Sequence, residues 1–103
     1  MASHQAVKVG LFVRLVARPG KEKELEALLR SGLPLVQDEP GTLQWYAVKF
    51  DAKTFAIFDT FSAEAGRDAH LAGRLAAALM AKAGELLVEA PNIEKHDILA
   101  AKV

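Results

Sequence analysis

His70 is the side chain of this sequence best suited to proton transfer at neutral pH, because an unperturbed imidazole titrates at about 6.5 and the chain has no cysteine to serve as a nucleophile. It lies on a helical pattern, downstream of Glu39-Pro40-Gly41-Thr42-Leu43-Gln44-Trp45-Tyr46 and of Phe55-Ala56-Ile57-Phe58-Asp59-Thr60-Phe61. Two strand patterns thus lead into a helix that carries a lone histidine, an order that implies both a fold and a pocket between sheet and helix. A histidine near a helix start has a second reading, as a surface or structural hydrogen-bonding residue, and both stay open at this point. His96 and Asp97, in the last strand pattern, and His4, near the start, lack the spacing of a metal site and read as solvated.

The elements that must position these residues belong to one domain. The 103 residues leave no room for a second, and a chain of this size buries roughly two-thirds of its unfolded surface in a single core. Thirteen basic residues balance thirteen acidic ones, scattered along the chain, so there is neither a basic footprint for nucleic acid nor an acidic tail. The absence of cysteine removes disulfides and thiolate metal sites and fits a reducing compartment. No apolar run approaches the roughly 20 residues that span a bilayer, and Met1 to Gln5 reads as a short frayed start without the regions of a secretory signal, so a cytoplasmic protein is expected. GxGxxG, P-loop, GxSxG and HExxH patterns are missing, which leaves dinucleotide, nucleotide, serine-hydrolase and zinc-protease chemistry without an anchor.

Apolar residues at every second position from Val7 to Ala17 predict a first strand. Pro19-Gly20 breaks it, and Lys21 to Arg30 predicts a helix with Leu25, Leu28 and Leu29 on one face. Gly32 and Pro34 strain the last turn, and helix over Leu35 to Asp38 is left undecided before Glu39-Pro40-Gly41 ends it. Strands over Thr42 to Phe50 and Thr54 to Phe61 are joined by Asp51-Ala52-Lys53, the length of a hairpin connection. Ser62 is the expected N-cap of a long helix over Ala63 to Ala83, with a possible interruption near Gly73 and with Leu71, Leu75 and Leu79 four apart. A turn over Glu85 to Glu89, a break at Pro91-Asn92 and a weaker strand over Ile93 to Ala101 complete the chain.

The resulting βαββαβ order is the α+β, ferredoxin-like arrangement: a four-stranded antiparallel sheet with two helices on one face. The other face keeps large side chains, Phe12 and Val16 beside Arg14 on the first strand, while Trp45 and Tyr46 point to opposite sides of the second. An apolar face left open in a small protein predicts a homodimer with two sheets packed face to face.

The order of elements, the Glu-Pro-Gly turn before an aromatic strand, and the run from Phe55 through Phe61 to His70 resemble the antibiotic biosynthesis monooxygenase family, over nearly the whole chain. The resemblance implies the dimeric α+β barrel. The family pattern has an acid, an aromatic two positions later and a histidine eleven positions after the acid, here Asp59, Phe61 and His70. The acid is commonly glutamate and the aromatic commonly tryptophan, so this chain carries a shorter carboxylate and a ring without an N–H donor. The same barrel hosts quinol and anthrone oxidation, haem degradation, isomerisation and proteins of no known activity. Haem-degrading relatives place an asparagine, a tryptophan and a histidine where this chain has Val13, His70 and Met80, so no axial iron ligand is expected.

The family's best-known members oxygenate electron-rich phenols without metal or flavin, and on that basis no cofactor is expected. Such chemistry needs a dry apolar cavity, a ring-stacking wall, an acceptor for the phenolic proton and a donor for the anion. By resemblance His70 is the acceptor, oriented by Asp59 if the two meet, and Arg14 is the candidate for the anion, with a surface or interface salt bridge as its other reading. Phe12, Trp45, Tyr46, Phe58 and Phe61 are the candidate walls, although strands favour aromatics in any case and core or dimer interface is the stronger reading of any single ring. The implied substrate is quinol-like or polycyclic. The rivals are a non-catalytic module that holds a small apolar ligand or serves in a stress response, and a proton-transfer isomerase.

Overall fold

The computed structural model describes residues 6–103, so the expected frayed start from Met1 to Gln5, with His4, lies outside the described residues. The chain runs β1 (Val9–Val16), α1 (Glu22–Ser31), α2 (Leu33–Gln37), β2 (Thr42–Lys49), β3 (Thr54–Phe61), α3 (Glu64–Leu71), α4 (Arg74–Leu86) and β4 (Asn92–Asp97). The strands form one antiparallel sheet in the order β2-β3-β1-β4. This is the expected ferredoxin-like sheet, with the helical segments more divided than the sequence pattern indicates.

Three local differences have simple causes. Helix does resume after Gly32, as the short α2, because Pro34 falls in the first turn, where its missing N–H has no intrahelical partner to lose. The long helix expected over Ala63 to Ala83 is two helices, α3 and α4, parted at Ala72 and Gly73, and α4 runs on to Leu86 where a turn was expected. Ser62 does not cap α3: Ala63 occupies the N-cap position, with no side-chain hydrogen bond.

The core lies between the sheet and the helices. Leu11, Val13, Leu15 and Ala17 alternate inward from β1 and its continuation, and Phe55, Ile57, Asp59 and Phe61 alternate inward from β3. Leu25 and Leu29 of α1 and Leu75, Leu79 and Leu86 of α4 close over them. Past β1, Ala17 pairs with Leu87 in an isolated antiparallel bridge, which ties the end of α4 to the sheet.

On the opposite face, Tyr46 stacks on Phe58 with centroids 6.4 Å apart, and Phe58 stacks on His96 at 5.8 Å. Arg14 stands beside the Phe12 and Phe50 rings at 5.9 and 5.0 Å from their centroids. His96 is therefore half-buried against Phe58 rather than solvated, whereas Asp97 is exposed. Tyr46 remains 50% exposed and Phe50 55%, so no element of the described residues covers this face.

Candidate functional site

β3 brings Asp59 to the helix side because its side chains alternate, and the strand is covered on that side by α3. Asp59 is fully buried. His70 sits in the last turn of α3, 6% exposed, and its Nε2 lies 2.8 Å from Asp59 Oδ2. That contact is not an aligned hydrogen bond: both Asp59 oxygens are buried without a hydrogen-bond partner of good geometry. The ring's other nitrogen, Nδ1, lies 2.6 Å from Glu39 Oε1 in a well-aligned bond, and Thr42 Oγ1 donates to the same oxygen at 2.8 Å. His70 is thus clamped between two carboxylates from different elements.

Burial alone would push this imidazole down, but the facing carboxylates of Asp59 and Glu39 outweigh burial and hold its pKa above the ordinary 6.5. The imidazolium is stabilised relative to a free imidazole. Phe61 packs its ring against His70, with centroids 5.5 Å apart, which fixes the imidazole plane from the remaining side.

Glu39 is the member of this cluster that sequence reasoning missed. The Glu39-Pro40-Gly41 turn is visible in the sequence, but only as a helix stop. What aims Glu39 is tertiary: the turn packs on α3, and a bulge at Leu43 shifts the β2 register between Thr42 and Gln44. Thr42 then pairs with Phe61 and Trp45 with Asp59, so both face the helix side although three positions separate them.

The predicted site residues fall into two groups. His70, Asp59, Phe61 and Trp45 gather on the helix side. Phe12, Arg14, Tyr46 and Phe58 stand together on the open sheet face and do not meet His70. Strand parity separates the groups, because Phe58 and Asp59 are neighbours on β3 and must point to opposite sides.

A cavity of about 80 Å³ opens between β1, β3 and the α3–α4 pair, with His70 in its wall. Every other lining residue is aliphatic or methionine, including Leu11, Ile57, Leu75, Leu79 and Met80, and none of the five candidate rings borders it. On the far side of Glu39 lies a second, more polar cleft of about 190 Å³, bordered by Glu39, Thr42, Gln44 and Trp45. Glu39 and Asp59 address opposite nitrogens of one ring, and among the described residues no three metal-ligating side chains converge on a point.

No known family profile and no curated protein matches the sequence, but solved structures do. NE2512 from Nitrosomonas europaea, a protein of unknown function, is 54% identical over 97% of each chain with a TM-score of 0.94. PA3566 from Pseudomonas aeruginosa is 22% identical, with 95% of this chain and all of that chain covered and a TM-score of 0.81. A Caulobacter crescentus protein named as a candidate antibiotic biosynthesis monooxygenase is 20% identical over 94% of each chain, with a TM-score of 0.79. Among the described residues, no helix is long and apolar enough to cross a membrane.

Proposed function

Because this chain belongs to the family of the Nitrosomonas europaea protein NE2512 and has the fold of the antibiotic biosynthesis monooxygenases, we propose that it is a cofactor-independent oxidoreductase that oxidises a compact quinol with O2. The observation that carries this reading is the aliphatic cavity with one ionisable group, His70, in its wall. Apolar walls exclude water from a reactive anion, and one buried acid–base group is nearly all that substrate-driven oxygen chemistry asks of a protein.

Size decides between substrates. A cavity of about 80 Å³ is far below the roughly 300–1,000 Å³ of sites for drug-sized ligands, and below the roughly 150 Å³ that accepts a benzene ring. A polycyclic phenol does not fit, and a one-ring quinol enters if the mouth gives way. Met80, unbranched and 55% exposed, is the lining residue most able to move.

In this reading O2 supplies one atom to the ring and the other to water, so quinol and O2 become hydroxyquinone and water, with all electrons drawn from the substrate. His70 in its neutral form takes the phenolic proton and returns it to the reduced oxygen as water forms. Nε2 is the entry point, since its contact with Asp59 is unaligned and more readily exchanged than the Nδ1 bond to Glu39. Arg14, on the open face, has no part in this step.

The aromatic-free lining supports a second reading, a non-catalytic module that holds a small apolar ligand. Oxygen uptake with a panel of hydroquinones, in the presence of a chelator, separates the two. Uptake that falls in His70→Gln supports the oxidase; no uptake, with small phenols still binding in isothermal titration calorimetry, supports the binding module. The open face of Phe12, Tyr46 and Phe58 supports a homodimer through that face, and a cytoplasmic location is part of the same proposal.

A further inference from the structure

We propose that Glu39 is the proton port of His70, the group through which the buried ring exchanges its Nδ1 proton with water in the cleft beside β2. The ring stands between two unlike spaces. On one side is the apolar cavity, in which His70 is the sole ionisable lining residue; on the other is the polar cleft, which Glu39 borders but His70 does not.

Only one of the two carboxylates can serve. Asp59 is fully buried, so a proton passed to it stays in the core. Glu39 keeps 18% of its side chain exposed and holds the ring through the shorter, aligned contact at 2.6 Å. Thr42 fixes Oε1 at 2.8 Å, while Oε2 reaches over Gly73, where a built Cβ would stand 2.7 Å from it. The other charged groups near α3 are directed elsewhere: Arg67 donates to the carbonyls of Gly10 and His96, Glu64 lies toward Arg67, and Arg74 pairs with Asp38 at the surface. Asp59 from β3 and Glu39 from the turn before β2 are the groups that face the ring.

The step is a simple transfer. The Nδ1–H bond of the imidazolium breaks and leaves its electron pair on nitrogen, the proton joins Glu39 Oε1, and water in the cleft removes it. A neutral ring remains with its proton on Nε2, so each proton taken up there from the cavity side is matched by one released from Nδ1 through Glu39. The catalytic use of this port rests on the oxidation proposed above; the port itself does not.

Labelling the histidines with ¹⁵N and measuring exchange of the His70 ring N–H with water tests the port without any substrate. Glu39→Gln keeps an acceptor for Nδ1–H but cannot carry the proton. Exchange slowed roughly tenfold or more is expected. Unchanged or faster exchange overturns the proposal, since loss of a merely structural bond loosens the ring and speeds exchange. If the Gln variant does not fold, Glu39→Met, which likewise cannot carry a proton, is judged by the same two outcomes. Oxygen uptake by the native protein is measured separately, so failure of the oxidase reading and failure of the port are told apart.

Discussion

Gly41 and Gly66 meet backbone against backbone: a Cβ built on Gly41 would stand 2.8 Å from Cα of Gly66, and one built on Gly66 would stand 2.8 Å from the Gly41 carbonyl oxygen. This contact seats the Glu39-Pro40-Gly41 turn on α3 and brings Glu39 within reach of His70. Because the atoms in the way are backbone, Gly66→Ala must separate turn from helix. A loss of about 1–3 kcal/mol in urea denaturation is expected. An NMR titration should also find the His70 pKa lowered, through a lengthened Glu39 contact.

The pH dependence of stability follows from the raised His70 pKa, with a definite sign. A group that binds its proton more tightly when folded contributes most below its unfolded pKa, at about 6.5, and that contribution fades as pH rises through the folded value. Urea midpoints should therefore fall on the alkaline side of about 6.5. In Asp59→Asn one of the raising carboxylates is gone, so the fall should end at lower pH and be smaller. An identical pH profile in both proteins would remove His70 from the account.

Ala76 borders the cavity from α4, opposite the sheet. Ala76→Leu adds three carbons to a space of about 80 Å³ and should fill most of it without touching Glu39 or Asp59. Small-phenol binding, read by isothermal titration calorimetry, should weaken by at least roughly tenfold, about 1.4 kcal/mol. The ¹⁵N titration of His70 should stay close to that of the native protein. Undiminished binding would mean that the ligand sits elsewhere.

Phe58 is the centre of the Tyr46–Phe58–His96 stack on the open face. Two such faces packed together would strip water from a carboxylate at that centre and set it against its two-fold copy, so Phe58→Glu should shift the protein from dimer to monomer in sedimentation velocity. Buried ions without a counter-charge are costly enough to break an interface. A native protein that sediments as a monomer at micromolar concentration would remove the proposed face-to-face dimer.

Much of this fold was legible because alternation in β1 and β3 is so regular that inward and outward residues sort themselves. Trp45 and Tyr46 fall on opposite faces for the same reason. The sites of error lie where local pattern has no say. Leu71, Leu75 and Leu79 keep one helical spacing across Ala72 and Gly73, so periodicity conceals the break between α3 and α4. Glu39 escaped because its partner is 31 residues away and a bulge at Leu43 resets the parity of the strand that follows. The aromatic candidates share a composition but not a face, and composition cannot tell which face the helices will cover.

Phe58 and Asp59 are consecutive on β3, one aimed at the open face and the other at His70. A slip of β3 by one residue would exchange them, burying a phenyl ring against the imidazole and presenting a carboxylate to any second copy. The register of β3 therefore serves both surfaces at once: either can be retuned by substitution, but a change of phase within the strand itself would turn the protein inside out.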